Sequence, residues 1–394
     1  MPMSTSWILL SLMFFTSYLL HLVFHRVRIP SLLAPFIVGL VFQGFLPFIP
    51  LPNSDYSQII PVFSDLGIVF LLFLIGINVE SQQLRRLSKS ITALAALNLG
   101  LSSALGALLL IRLGYPLLSS IIVATALATV AEATIAPVLD ETGLLKTKTA
   151  TLIIGPGILD DVAEVLLASL ASFIVGSETS RYDPVFLALG LVLFFGLALF
   201  SHRLLMPLLI RLEPDCDEEQ IFLLAIFVAL LFVGVSLFFG FGVLLGAIVG
   251  GLIFQNYLRK NGSKEKIVAI LRPVAYGFLG PVFFFSIGFS IGFVNLVESF
   301  WLTILLLFVN FGAKFASAYI VGKRIGLNGK SITVIGLGLS AKFSMGIIPV
   351  QILYSTGIID NGLFAAFIAV SAVSTIIIPF TLAWLVNHWR ESIT

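Results

Sequence analysis

An all-α polytopic membrane protein of about 13 transmembrane helices is the fold class this sequence predicts, and three observations predict it. Of 394 residues, 59% are apolar and only 11% charged, against roughly a quarter charged in an ordinary soluble domain. A soluble fold of this size cannot hide so much apolar surface. The apolar residues also run continuously for about 20 positions at a time, enough to cross ~30 Å of hydrocarbon, without the alternating polarity of a membrane barrel. Finally, the 22 Lys and Arg residues sort by position between the runs. The net charge of +2, with no basic domain, excludes nucleic-acid binding as the main activity. The single Cys216, among charged loop residues, excludes a disulfide scaffold.

The first run, 6–24, lacks a basic leader and a small-residue cleavage site, so a retained helix and not a signal peptide is expected. Runs 30–47, 59–79 and 90–112 are uniformly apolar. The fifth, 117–140, contains ATALATVAEATIAPVLDETG, and the sixth, 148–175, contains GPGILDDVAEVLL. Runs 184–210 and 219–238 follow across the acidic connection RLEPDCDEEQ, taken as solvated. In the ninth, 240–258, the glycines Gly240, Gly242, Gly246, Gly250 and Gly251 permit close helix contact, within one chain or between two copies. Runs 273–294, 300–322, 331–354 and 361–387 complete the series; the twelfth reads GLGLSAKFSMGIIPVQ. Few residues follow, so no appended soluble domain is expected. Connections after odd-numbered runs, with the C-terminal tail, hold 18 of the 22 basic residues, and the opposite connections hold only Arg112 and Arg181. This places the N-terminus outside and the C-terminus in the cytoplasm. An odd count divides into six runs, one linker and six more, and the two sets of six then start on opposite sides. That is the parity of an inverted repeat, a plan common among secondary transporters.

Six charges fall near mid-segment: Glu132, Asp160, Asp161, Glu164, Lys314 and Lys342. Each costs about 2.5–3.5 kcal/mol or more in hydrocarbon, so each needs a reason. Asp160 stands twelve residues after Lys148, roughly 18 Å along a helix and so about halfway across. Asp160 and Asp161 point about 100° apart, and Glu164 lies angularly between them one turn on. Three acids on one face repel unless one is protonated or a cation pairs with it. A cation or proton site explains the excess of acids better than a network that only ties helices together. Lys314, in NFGAKFASAYIVG, is deep within its run and is the natural counter-charge to Asp160. The fifth and twelfth runs occupy matching places in the two halves. Each has small and hydroxyl residues, one charge and then a proline: Glu132 before Pro137, and Lys342 before Pro349. Proline disfavours regular helix, so both runs are expected to be discontinuous, with the charges balancing half-helix dipole ends or forming a buried Glu–Lys pair.

Several ordered stretches carry a resemblance: RIPSLLAPFIVGLVFQG, LGIVFLLFLIGINVE, VLDETGLL followed by GPGILDDV, LLGAIVGGLI, PVFFFSIGFSIG and GAKFASAY. Over nearly the whole chain these resemble the monovalent cation:proton antiporters of the NapA and Kef type, the family's second branch. The resemblance implies the Na+/H+ antiporter fold, with six-helix inverted repeats and two crossing discontinuous helices. It implies that Asp161 carries the ion or the proton, that Asp160 pairs with Lys314, and that Thr129 and Thr134 of the broken fifth helix help to ligate the ion. It implies a homodimer, with panel helices in 1–89 and 219–294, a linker helix in 184–211 and a moving core in 90–176 and 300–389. Where the family often has Arg-Gly-Glu, this chain has Lys342-Phe343-Ser344; the base is kept and the acid is gone. Glu132 and Glu164 are additional acids, and Glu132 is the candidate replacement partner for Lys342.

The function expected is exchange of protons for Na+, Li+ or K+ across a membrane, the bacterial inner membrane by family analogy, with surrounding lipid as its setting. No cofactor beyond the transported ions, no enzymatic activity and no nucleotide-binding regulatory domain are expected. A carboxylate holds either a proton or a small hard cation, so the two compete at Asp161. A sodium-coupled symporter of an organic solute on a similar scaffold is the alternative. An intramembrane aspartyl protease needs its aspartates on facing helices, and the pair here is adjacent on one. Nothing resembles a channel's selectivity filter.

Overall fold

A computed structural model of the chain describes residues 3–26, 32–45, 56–79, 81–175, 184–208, 217–261, 264–290, 299–342 and 347–393. Among the described residues every regular element is a helix, and eight of these helices are long and apolar enough to cross a membrane. In chain order they are α1 (Met3–Arg26), α2 (Leu33–Phe45), α3 (Tyr56–Asn78), the short α4 (Ser81–Arg86), α5 (Ser88–Arg112), α6 (Leu117–Ala128), α7 (Glu132–Glu141) and α8 (Lys148–Val175). There follow α9 (Pro184–Phe200), α10 (Glu218–Phe238), α11 (Gly242–Asn261), α12 (Lys264–Arg272), α13 (Gly280–Ser290), α14 (Phe300–Arg324), α15 (Gly329–Leu339), α16 (Ile347–Ser355) and α17 (Asn361–Trp389). The fifth and twelfth apolar runs are each split, into α6/α7 and α15/α16.

The chain forms two compact units, each built from one stretch of either half: Met1–Val79 with Leu189–Gly292, and Glu80–Ala188 with Phe293–Thr394. In the first, α2 packs on α13 and α3 on α11. Both seams are backbone on backbone. A Cβ built at Gly39 would overlap the carbonyl oxygen of Phe285, and one at Gly288 that of Phe36. Likewise Gly76 meets the carbonyl of Ile248, and Gly251 that of Phe73. Small residues let membrane helices approach this closely, which is how they gain packing energy where lipid is as apolar as leucine. The ninth-run glycines therefore serve contacts within the chain: Gly246 and Gly250 also lie on Phe232, while Gly240 and Gly242, with φ of 82° and 80°, turn the backbone between α10 and α11.

Exchanging the two halves of the chain maps the second run onto the ninth and the third onto the tenth. That operation converts the α2–α13 seam into the α11–α3 seam. In the second unit it converts α8 on α16 into α17 on α7. The contact pattern is that of an inverted repeat.

One boundary is corrected. The tenth run was expected to start at Pro273, but the helix begins at Lys264. The lead-in KEKIVAILR buries Ile267 and Leu271 and turns Glu265 and Lys266 outward, so its charge hid it from a search for apolar runs. Pro273 opens a π-helical stretch, Pro273–Leu279, that joins α12 to α13; its wider turns dispense with the i→i−4 bond that proline cannot make.

Candidate functional site

The second unit contains the crossing of the two split helices. α6 ends at Ala128 because Thr129 turns extended (φ −64°, ψ 160°), and Ala131 (φ −104°, ψ 79°) precedes the first turn of α7. The break thus lies at Thr129–Ala131 and not at Pro137, which sits inside α7. On the other strand of the crossing α15 ends at Leu339, and Pro349 falls in the first turn of α16, where a missing N–H costs nothing. The breaks are held by each other: the Ala131 N–H donates to the Ala341 carbonyl at 3.0 Å.

A helix end leaves carbonyls without intrahelical partners, and in hydrocarbon these must be satisfied locally. Side chains of neighbouring helices do so. Asn98 Nδ2 of α5 donates to the Ala128 carbonyl at 3.1 Å. Lys314 Nζ of α14 donates to the Thr129 carbonyl at 3.0 Å and also to that of Leu339. Lys342 Nζ donates to the same Thr129 carbonyl, and the Lys342 carbonyl accepts from Thr375 Oγ1 of α17 at 2.6 Å. Lys314 therefore bridges the C-terminal ends of both half-helices, where about half a negative charge gathers on each.

Both lysines are buried, Lys314 to 0% exposure and Lys342 to 2%. Bound to one oxygen, their nitrogens lie within about 6 Å, where two positive charges repel by about 3 kcal/mol at an effective dielectric near 20. Compensating acids are in the same unit. Glu132, fully buried, occupies the first turn of α7, the positive end of that half-helix. Its carboxylate lies directly on Gly157 of α8: a Cβ built at Gly157 would fall on it. Gly157 is one turn from Asp160, itself 2% exposed, and i,i+3 positions share a helix face. The structure thus brings Glu132 to the acidic stretch of α8 and both lysines to the break of α6. Thr129 and Thr134 are buried in the α6–α7 segment, their hydroxyls donating to the carbonyls of Ala126 and Ala131, each at 2.9 Å. A threonine hydroxyl that donates can also accept from a donor or ligate a cation. The side chains of Asp161 and Glu164, and Ser344 altogether, lie outside the described residues.

Asn98 and Thr375 were not singled out by sequence. Their signal, a lone Asn in ALAALNLGL and a Ser-Thr pair in AVSTIIIPF, is too common in membrane helices to mark a cap. Towards Tyr115 the crossing is roofed by an apolar cluster that includes Leu110, Ile122, Val123, Leu306 and Phe367. At the rim of that roof Tyr115 donates to Asp360 Oδ1 at 3.3 Å. Partial burial and the neighbouring Asp360 charge and hydrogen bond hold the phenol's pKa above its ordinary 10.0.

The family model described as "Sodium/hydrogen exchanger, transmembrane" matches residues 10–388. Among curated proteins the chain is 23% identical to the Na(+)/H(+)-K(+) antiporter GerN of Bacillus cereus, covering 90% of this chain and 89% of that one. It is 29% identical to the K(+)/H(+) antiporter subunit KhtU of Bacillus subtilis, over 74% and 71%. Among solved structures, the sodium proton antiporter MjNhaP1 from Methanocaldococcus jannaschii superposes with a TM-score of 0.69 at 17% identity, covering 99% of this chain and 98% of that one.

Proposed function

The chain belongs to the transmembrane sodium/hydrogen exchanger family, and from that premise we propose how it exchanges a monovalent cation for a proton, with Asp161 as the group that the two ions contest. The observation that carries this reading is the crossing itself. Two buried lysines converge on the carbonyl at the end of one half-helix, one of them also holds the end of the other, and Glu132 reaches the helix that bears the Asp160–Asp161 pair. Deprotonated, Asp161 takes a dehydrated Na+, Li+ or K+ together with oxygens of the Thr129–Thr134 segment; protonated, it takes none. Each binding event excludes the other, so the gradient of one ion drives the other. Asp160 pairs with Lys314 when the site is empty of cation. When a cation arrives the pair loosens, and Lys314 stays anchored by the Leu339 and Thr129 carbonyls. Glu132 supplies the negative charge that balances Lys342, and Glu164 adds to the negative potential one turn along α8. Ser344, where an acid is common in the family, leaves that task to Glu132.

In this reading the unit that contains the crossing is the carrier, and the unit with glycine seams is the panel through which two copies dimerise. The N-terminus faces outside and the C-terminus the cytoplasm, an orientation that the distribution of basic residues supports, and by family analogy the membrane is a bacterial inner membrane.

The test is flux in proteoliposomes with an internal pH dye, adding Na+, Li+ and K+ in turn. Asp161→Asn abolishes cation-driven proton movement while the protein still elutes as a folded species. Full flux in that variant overturns the assignment.

A further inference from the structure

The two halves of the chain repeat at a constant offset of 212 positions. The seam glycines Gly39 and Gly76 recur as Gly251 and Gly288, and Pro137 recurs as Pro349. α5 (Ser88–Arg112) recurs end for end as α14 (Phe300–Arg324), and a left-handed glycine follows each, Gly114 at φ 92° and Gly326 at φ 74°. The same offset matches Asn98 of α5 with Asn310 of α14, and the Ala128 carbonyl, which Asn98 caps, with that of Ser340. We propose that Asn310 is a positioning residue of the opposite transport state, in which its amide donates to the Ser340 carbonyl and caps α15 while Asn98 lets go of α6. The proposal rests on the chain exchanging ions between the two sides of a membrane, and not on which carboxylate carries them.

Because the repeats are inverted, exchanging their conformations exchanges the two faces of the membrane. A difference between matched residues therefore belongs to one state and is reversed in the other. Asn98 is fully buried, and its Nδ2 donates to the Ala128 carbonyl at 3.1 Å. Asn310 is 2% exposed, yet neither its Oδ1 nor its Nδ2 has a hydrogen-bond partner among the described residues. Buried amides are bonded in the large majority of cases, and the second state supplies the bond that this one withholds. The acceptor is withheld by the length of the half-helix. α6 is helical through Ala128 and turns extended at Thr129, with ψ 160°. α15 stops one matched position earlier, at Leu339, and Ser340 follows at ψ −6°. Lys314 accounts for the inequality, since it holds the Leu339 carbonyl as well as that of Thr129. Its mate under the offset is Ser102, a buried residue whose hydroxyl has no partner among the described residues and is too short to bridge two half-helices. The lysine thus breaks the symmetry of the pair. Extension of α15 by one residue, to match α6, brings the Ser340 carbonyl to Asn310 as the Ala128 carbonyl comes to Asn98.

Stability and turnover of the purified full-length protein separate the two asparagines. Asn98→Leu strands the Ala128 carbonyl and lowers the melting temperature in detergent. Asn310→Leu leaves the melting temperature at or above the wild-type value, because the amide it removes is unbonded in this state. In proteoliposomes the same variant turns over about tenfold more slowly, as loss of one hydrogen bond to a buried carbonyl in the second state predicts. Asn310→Ala, which cannot overpack the helix seam, loses turnover as well and carries the test should the leucine variant misfold. Calorimetric binding of the driving cation is unchanged in both Asn310 variants, whereas a defect in the ion site itself removes binding and flux together. Wild-type turnover in both variants overturns the proposal, and is the result expected if a water bound to the amide serves only to hold the fold. A fall in melting temperature as large as that of Asn98→Leu in both Asn310 variants overturns it too, since the amide is then already bonded in this state.

Discussion

Lys314 and Lys342 share the carbonyl oxygen of Thr129, and that oxygen left no trace in the sequence. Charges in apolar runs are visible, so Glu132, Asp160, Lys314 and Lys342, all buried, could be picked out as candidates; backbone acceptors are not, so where the lysines would point was not legible. The same holds for Asn98, whose partner is a carbonyl. The seat of Glu132 on Gly157 makes a prediction at this scale. Gly157→Ala drives a methyl onto the carboxylate and lowers the melting temperature in detergent. Glu132→Ala in the same protein removes the obstacle, so the double variant recovers stability but not transport. A coupling below about 0.5 kcal/mol in that double-mutant cycle would mean the two do not touch. Tyr115 makes a second prediction. Its pKa is raised in the folded protein, so its bond to Asp360 contributes fully below the unfolded value near 10 and is lost as pH rises through the higher folded value. Thermal unfolding from pH 9 to 11.5 shows this loss in the wild type and not in Tyr115→Phe.

Helices were legible to within a few residues where apolar content alone defines them, and less so where it does not. Lys148–Val175 matched its expected span, whereas the amphipathic α12 was hidden by its own charges. The two discontinuities were found in the right runs for an incomplete reason. Proline marks the region, but the break is held by hydrogen bonds between segments far apart in sequence, Ala131 to Ala341 above all, and no local signal encodes such a pairing. Packing seams offer the test at this scale. Gly251→Ala presses a methyl into the carbonyl of Phe73 and costs about 1–3 kcal/mol, as overpacking does. Gly234→Ala, on the open face of α10 with nothing within 4 Å, is neutral or stabilises slightly, because alanine is the better helix former by roughly 0.5–1 kcal/mol. Fluorescence-detected melting of the two variants distinguishes them.

For the whole molecule, basic residues and run parity made the duplicated architecture readable before any contact was known. Contacts then supplied what parity cannot, the interchange of the α2–α13 and α3–α11 seams. Orientation has a simple check, because Cys216 is the chain's only cysteine and lies in the connection before α10. A membrane-impermeant maleimide labels it in inside-out vesicles and not in intact cells; the reverse pattern would invert the assigned topology. The reciprocal glycine seams have one more consequence. Where main chain meets main chain, no change of rotamer can make room for even a methyl, so tolerance to drift is confined to the lipid-facing sides of these helices. In a saturation library grown under cation load, survivors keep codons for glycine at 39, 76, 251 and 288 while outward positions of the same helices such as Val41 and Val62, about half exposed or more, vary freely.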